Sequence, residues 1–272
     1  MALGVPTVWL ALLGYLRDSG KTVPSLERTI VGGAACPLSI MAEFEKRHGV
    51  STRHAWGMTE TSPLGTVNTP LRRMDTLSGE ERDAVRIKQG RVPFGVDLKI
   101  VDEAGEDLPW DGVAFGDLKV RGFWVCDGYF KQGPGESALD EDGWFSTGDV
   151  ASIDPAGFMK ITDRTKDVIK SGGEWISSIE LENLAMGHPD VAEAAVIGVA
   201  HPKWTERPLL VVVPKESRGI DKREMLAWFD GKVADWWIPD DVVAVDSIPH
   251  TATGKISKLA LRDQLKGYCP TP

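Results

Sequence analysis

The sequence predicts two mixed architectures in succession: an α/β layer running into a β-rich subdomain, then an α+β domain. Three observations support this. Up to about Pro70, apolar runs of strand length alternate with runs of helical period. From Gly90 to Ile161 the runs are short, strand-like and separated by turn residues. After Asp163 helical and strand patterns mix again over about a hundred residues, enough for a separate domain. The expected division is 1–165, with the α/β layer to about 89 and the β-rich part from about 90, followed by 166–272.

In the first layer, Pro6–Leu16 reads as a helix, apolar on more than one face. A short strand, Arg28–Gly32, ends at Gly32-Gly33, and a helix follows over Leu38–His48 with Leu38, Met41, Ala42 and Phe44 on one side. A second strand, Thr52–Trp56, completes a strand–helix–strand order. That order favours a parallel sheet, whose ligands gather at the carboxyl ends of its strands. The β-rich part reads as a small antiparallel barrel or sheet with strands at Asp97–Val101, Gly116–Arg121, Asp149–Ile153 and Phe158–Ile161. Glu103–Gly105 and Asp154–Gly157 are its turns. The last part predicts a helix at Ser178–Met186, strands at Val191–Val199 and Pro208–Pro214, and a helix at Lys222–Asp235. A strand at Asp241–Val245 and a helix at Ser257–Leu265 close the chain.

Composition excludes several classes of function. With a net charge of -9 and scattered Lys and Arg, the chain offers no groove for a nucleic-acid backbone. Cys36, Cys126 and Cys269 are three, far apart and in no metal-ligand spacing, which fits a reducing cytoplasm. The apolar stretch Val5–Leu16 lacks a basic leader and a cleavage site, and is too short to cross a bilayer as a helix.

Several motifs carry chemistry. Trp56-Gly57-Met58-Thr59-Glu60 places a ring, a flexible glycine, a hydroxyl and a carboxylate at a strand end. That set suits a nucleotide with Glu60 on a hard cation such as Mg2+, although taken alone it reads better as a strand end capped by a Thr-Glu turn. Ser146-Thr147-Gly148-Asp149 puts a carboxylate after a Gly turn, able to accept from a ribose diol or from local backbone N–H groups. Asp163–Glu182 carries Arg164 and Lys166, then Gly172-Gly173, where a backbone can approach a ligand or turn a tight hairpin. Pro249–Lys255 presents one lysine on a small-residue loop. It is no P-loop, because Pro249 and Ile256 stand where Gly and Ser or Thr are needed.

Taken together and in this order, GGAACP, WGMTE, GRVPFG, DGWFSTGD, DRTKDVIKSGGEWIS and PHTATGK resemble the adenylate-forming family of acyl-CoA synthetases, luciferases and peptide-synthetase adenylation domains. The resemblance covers nearly the whole chain. Around Trp175 it is closest to medium- and long-chain fatty acyl-CoA ligases and relatives acting on short substituted acids. It implies that Gly33, Ala34 and Ala35 line an adenine, with Trp56 and Gly57 against it. Thr59 is implied at the α-phosphate, Glu60 at Mg2+, Asp149 and Arg164 at the ribose, and Lys255 as the lysine of adenylation. Lys166 stands at the hinge of a mobile cap domain, where many relatives have Asp, and Ser171, Gly172, Gly173 and Glu174 line a coenzyme A channel.

The implied reaction joins a carboxylic acid to coenzyme A through an acyl-adenylate, consuming ATP and releasing AMP and pyrophosphate. The family's Ser/Thr/Gly-rich phosphate loop is absent from the sequence. The chain is therefore expected to be the carboxy-terminal half of such an enzyme, inactive alone. The expected protein partner is a separate amino-terminal half or a second copy in a homo-oligomer. Loading of a carrier protein, and nucleotide binding without turnover, are the alternatives.

Overall fold

The structure, a computed structural model, describes residues 1–131, 133, 137–215, 219–251 and 256–268. It forms two compact units, Met1–Ile161 and Thr162–Pro272.

The first unit opens with strand β1 (Ala2–Gly4) and helix α1 (Pro6–Ser19), then β2 (Arg28–Val31), α2 (Leu38–His48) and β3 (Ser51–Trp56). The three strands pair in parallel, Leu3 opposite Ile30 and Ile30 opposite Arg53, and β4 (Thr66–Val67) adds antiparallel to β3. Pro6 starts α1 where a missing N–H costs nothing. Gly20 and Gly49 end α1 and α2 at positive φ, and Lys46, Arg47 and His48 face the carboxyl end of the α2 dipole. The helices meet edge-on through Trp9 and Phe44, ring centroids 5.7 Å apart, over Leu13, Met41 and Val50. Full burial of a side chain such as Phe44 stabilises this layer by about 1.5–3 kcal/mol. The outer face of α1 stays uncovered, with Val8, Leu10 and Tyr15 each about half exposed.

A helix that the periodicity did not predict, α3 (Gly79–Arg86), follows. Ser78 accepts from Glu81 N–H while the Glu81 carboxylate accepts from Ser78 N–H, so the capping box rather than a buried face defines it. Strands β5 (Val96–Val101), β6 (Phe115–Gly122), β7 (Phe145–Ile153) and β8 (Met159–Arg164) then form an antiparallel sheet in sequence order. Among the described residues this sheet is open, so of the two forms expected it takes the sheet and not the closed barrel. Four strands do not curl far enough to bring β5 to β8. The sheet instead joins the first layer through isolated bridges, Gly90 to Met159 and Val67 to Arg91. The predicted turns form: Asp102 accepts from Ala104 and Glu106, and Asp154 from Ala156 and Phe158.

In the second unit, β9 (Ile169–Ser171) and β10 (Glu174–Ile176) make a hairpin turned by Gly172-Gly173, both at positive φ. Helix α4 (Ser178–Met186) leads to a long hairpin, β11 (Val191–His201) against β12 (Thr205–Pro214), with Val196 opposite Leu210. Helix α5 (Lys222–Ala227), β13 (Asp241–Ala244), parallel to β12, and α6 (Lys258–Gln264) complete it. The long hairpin is apolar on both faces because both are covered. Val196, Leu210 and Val212 pack with Ile176, Leu181 and Phe229 on one side, while Ile197, Leu209 and Val211 meet Ile248 and Leu261 on the other. The helix expected to run from Lys222 to Asp235 stops at Ala227. Residues beyond it tighten to Phe229 N–H on Leu226 C=O, and Gly231 breaks the chain at positive φ.

Candidate functional site

Strand β3 aims its carboxyl end at the first motif, and the turn after it is built around glycine. A Cβ on Gly57 would lie 1.7 Å from the Pro63 carbonyl oxygen, so no other residue fits. The chain folds through a short 3-10 turn, Thr59–Thr61, and returns with Gly65 N–H on Trp56 C=O. Thr61, fully buried, accepts from Met58 N–H at 3.0 Å and lies 2.9 Å from the Pro63 carbonyl. This fixed turn leaves Thr59 exposed and Glu60 half-buried at the surface of the unit.

Trp56 itself is buried at 8 % exposure, with Gly65 packed against its ring. Its indole N–H donates to Asp149 Oδ2 at 2.8 Å, across 93 residues of sequence. Asp149, expected as the first residue of a strand, lies in the middle of β7, which already begins at Phe145. Here the pairing with β6 shifts register between Asp117 and Lys119, and Gly148 takes φ 71°. Such a bulge re-aims one side chain of a strand. Thr147 donates to Leu118 C=O at 2.8 Å and accepts from Asp149 N–H at 3.1 Å, fixing the backbone beneath the carboxylate.

Gly33, Ala34 and Ala35 follow β2 and are exposed, Gly33 at φ 79°. Sequence reasoning missed the residue that holds them. His54 on β3, 1 % exposed, sits 3.3 Å from Ala34 C=O through Nε2 and 3.0 Å from Ile87 C=O through Nδ1. Burial holds its pKa below the ordinary value, with the two carbonyl contacts opposing the shift. A neutral ring has one N–H, so only one of these contacts is a hydrogen bond at a time. The signal available was a histidine on the apolar face of a strand, which reads as core.

Glu60 is the single carboxylate at this turn. Tyr129 O–H donates to its Oε1 at 2.9 Å, and its backbone carbonyl accepts from Cys126 N–H. No group of three metal-ligating side chains occurs among the described residues. One carboxylate fits Mg2+ when substrate phosphates and water supply the other oxygens, and does not fit a cage of protein ligands.

The second unit holds the remaining expected residues. Arg164 and Lys166 are exposed on the segment entering it. Lys255 lies outside the described residues. Ser171, Gly172 and Glu174 line a cavity of about 390 Å³ together with Trp204, Arg207 and Trp236, three residues the motifs did not single out. Arg207 builds it, donating to Asp240 Oδ1 at 2.7 Å, the Trp236 carbonyl at 2.6 Å, the Ile238 carbonyl at 3.0 Å and Ser171 Oγ at 3.2 Å. Gly172 N–H donates to Trp204 C=O, and a Cβ at Gly172 would meet the Trp204 ring at 2.8 Å. Gly173 is exposed at the tip of the same turn.

These features define an α/β unit with its motifs at the strand ends, followed by an α+β unit bearing a small aromatic cavity. Residues 1–130 match the AMP-binding enzyme family and residues 180–255 the AMP-binding enzyme C-terminal domain. The chain belongs to this adenylate-forming family. It is 58% identical over 266 residues to 3-methylmercaptopropionyl-CoA ligase of Ruegeria lacuscaerulensis, covering 98% of this chain and 49% of that protein. With medium-chain-fatty-acid–CoA ligase of Ectopseudomonas oleovorans it shares 51% identity, covering 97% and 48%. The ATP-bound MatB structure from Rhodopseudomonas palustris superposes with a TM-score of 0.81 at 30% identity, over 98% of this chain and 51% of that one. The chain therefore spans about half the length of the relatives it matches. No helix among its described residues is long and apolar enough to cross a membrane.

Proposed function

We propose that this chain supplies the carboxy-terminal half of a cytoplasmic acyl-CoA ligase, activating an aliphatic carboxylic acid of the fatty or short substituted class. The observation that carries the reading is the buried Trp56–Asp149 hydrogen bond. It locks two motifs, distant in sequence, into one rigid corner beside the exposed Gly33–Ala35 turn. In this reading Gly33, Ala34 and Ala35 border the adenine, with Trp56 and Gly57 behind them. Asp149 and Arg164 hold the ribose, and Thr59 meets the α-phosphate.

The acid's carboxylate must attack an α-phosphorus surrounded by negative oxygens. Lys255 stabilises the charge that develops there. Mg2+, when bound at Glu60, screens the phosphates. After pyrophosphate leaves, the unit beyond Lys166 turns about that residue, removing Lys255 and bringing Ser171, Gly172, Gly173 and Glu174 to the acyl carbonyl. One site thereby serves two incompatible half-reactions. The aromatic cavity of Trp204, Arg207 and Trp236 beside Gly172 favours free coenzyme A over a carrier-protein arm, because it offers stacking surface to a nucleotide.

The test joins this chain to the amino-terminal half of the Ruegeria relative and measures adenylate and thioester formation separately. Lys255→Ala is expected to slow adenylation by about 100-fold or more while sparing thioester formation from preformed acyl-adenylate. Equal losses in both steps refute the role of Lys255. Thioester formation only with carrier protein makes the chain a carrier-loading enzyme. Nucleotide binding with no turnover makes it a binding remnant.

A further inference from the structure

The second unit contains a buried charge cluster that the proposed chemistry does not use. Lys258, the first residue of α6, is only 11% exposed in its side chain and lies 2.8 Å from Glu182 Oε1 on α4. Its ammonium also donates to Ser178 Oγ, one helical turn before Glu182. Ser178 Oγ in turn donates to Asp163 Oδ2 at 2.6 Å, and Ser178 N–H donates to the same oxygen at 2.6 Å. Asp163, 1 % exposed, accepts from Arg164 N–H through Oδ1 at 2.7 Å. Glu182 accepts from Val196 N–H on β11 at 2.8 Å. One ammonium therefore ties α6, α4, β11 and the entering segment together.

Two carboxylates and one lysine are a costly thing to bury for stability alone. A well-packed apolar trio often stabilises a fold as much or more, whereas in some proteins such clusters serve to specify one arrangement. Burial raises the pKa of both Asp163 and Glu182, and Lys258 opposes that rise in each. The arrangement specified here has its two ends next to residues of interest. Asp163 is covalently followed by Arg164. Lys258 lies three residues after Lys255, and the described ends of that loop are already drawn together. His250 and Ile256 form a β-bridge, Ser257 N–H donates to Pro249 C=O at 2.7 Å, and His250 Nε2 lies 2.6 Å from Glu193 Oε1.

We propose that Lys258, with Glu182, Ser178 and Asp163, is a positioning clamp that during adenylation holds the described base of the Lys255 loop and the Arg164 segment together, Asp163 parting from Ser178 when the unit beyond Lys166 turns. Lys258 touches no substrate and acts through Lys255 and Arg164. The proposal rests on the roles given to those two residues, but the clamp can be measured without them.

Amide hydrogen exchange on the 272-residue chain compares wild type with Lys258→Met, Lys258→Arg and Ser178→Ala. Lys258→Met is expected to speed exchange at both 162–165 and 256–258 on the order of tenfold, leaving the β11–β12 ladder protected. Lys258→Arg restores both segments. Ser178→Ala loosens 162–165 alone, because the Lys258–Glu182 pair remains. Unchanged exchange at either segment in Lys258→Met, no restoration by Arg, or equal loosening of the β11–β12 ladder overturns the clamp.

In the fusion with the Ruegeria amino-terminal half, Lys258→Met should lower kcat for adenylation about tenfold or more, with the KM for ATP changed by less than about twofold. A loosened loop with unaltered kcat shows the cluster to be structural only and likewise overturns it. A wild-type fusion that makes no adenylate counts against the proposed function instead, and the exchange data then decide the clamp.

Discussion

The long hairpin of the second unit and the β1–α1 edge of the first bury apolar sequence in opposite ways. On β11 and β12 both faces are apolar and both are covered, by Phe229 and Leu181 on one side and Ile248 and Leu261 on the other. At the β1–α1 edge, Trp9, Leu13 and Leu16 face inward, while Met1, Leu3, Val8, Leu10 and Tyr15 remain about half exposed or more. Equal apolarity thus has two outcomes. A segment apolar all round is stable in isolation only where layers exist on both sides, and α1 has one.

The most drastic way to break this contrast is to separate the units at Ile161. Residues 162–272 should give a cooperative unfolding transition and bind little hydrophobic dye. Residues 1–161 should bind severalfold more, and Val8→Ser with Leu10→Ser should remove most of that binding while changing stability by no more than about 0.5 kcal/mol. Strong dye binding by 162–272, or none by 1–161, ends the comparison.

A smaller effect sharpens it. Phe229 is fully buried, so Phe229→Ala should destabilise the second unit by about 3–5 kcal/mol. Differential scanning calorimetry should show the transition of the first unit in place. Loss of both transitions together would mean the units do not unfold separately.

The smallest effect is pH dependence confined to the first unit. His54 is held neutral by burial, its pKa below the ordinary value of 6.5. The unfolded chain therefore takes up a proton that the folded one resists. Stability is full above about pH 6.5 and falls as pH drops from there through the lowered pKa. His54→Gln should flatten that decline in thermal melts between pH 7 and 5. A decline that persists unaltered in the variant would assign it to other groups.

Much of this was legible in the sequence, for a local reason. Local pattern gave Leu38–His48 and Ser178–Met186 their observed bounds, because the signals that define each helix lie within a few residues of it. The alternation of strand and helix also predicted the parallel pairing of β2 and β3 with their motifs at the carboxyl ends, whereas the three-residue β1 carries too short a pattern to be predicted. The α3 helix was written as Ser78-Gly79-Glu80-Glu81 but lacks an apolar face, so periodicity passed over it.

What only tertiary structure decided are relations between distant residues. Trp56 and Asp149 each had a bland local reading, and their hydrogen bond depends on a register shift between β6 and β7 that no single segment encodes. Asp163, Ser178, Glu182 and Lys258 are ordinary charged and polar positions in one dimension, and become a buried cluster only when α4 and α6 pack in the same unit. Trp204, Arg207 and Trp236 form a cavity because Arg207 gathers separate backbone carbonyls. Local preference fixes which elements form, since their energies arise within a few residues. Partners across the fold are fixed by packing and by the need of each buried polar group to find a partner.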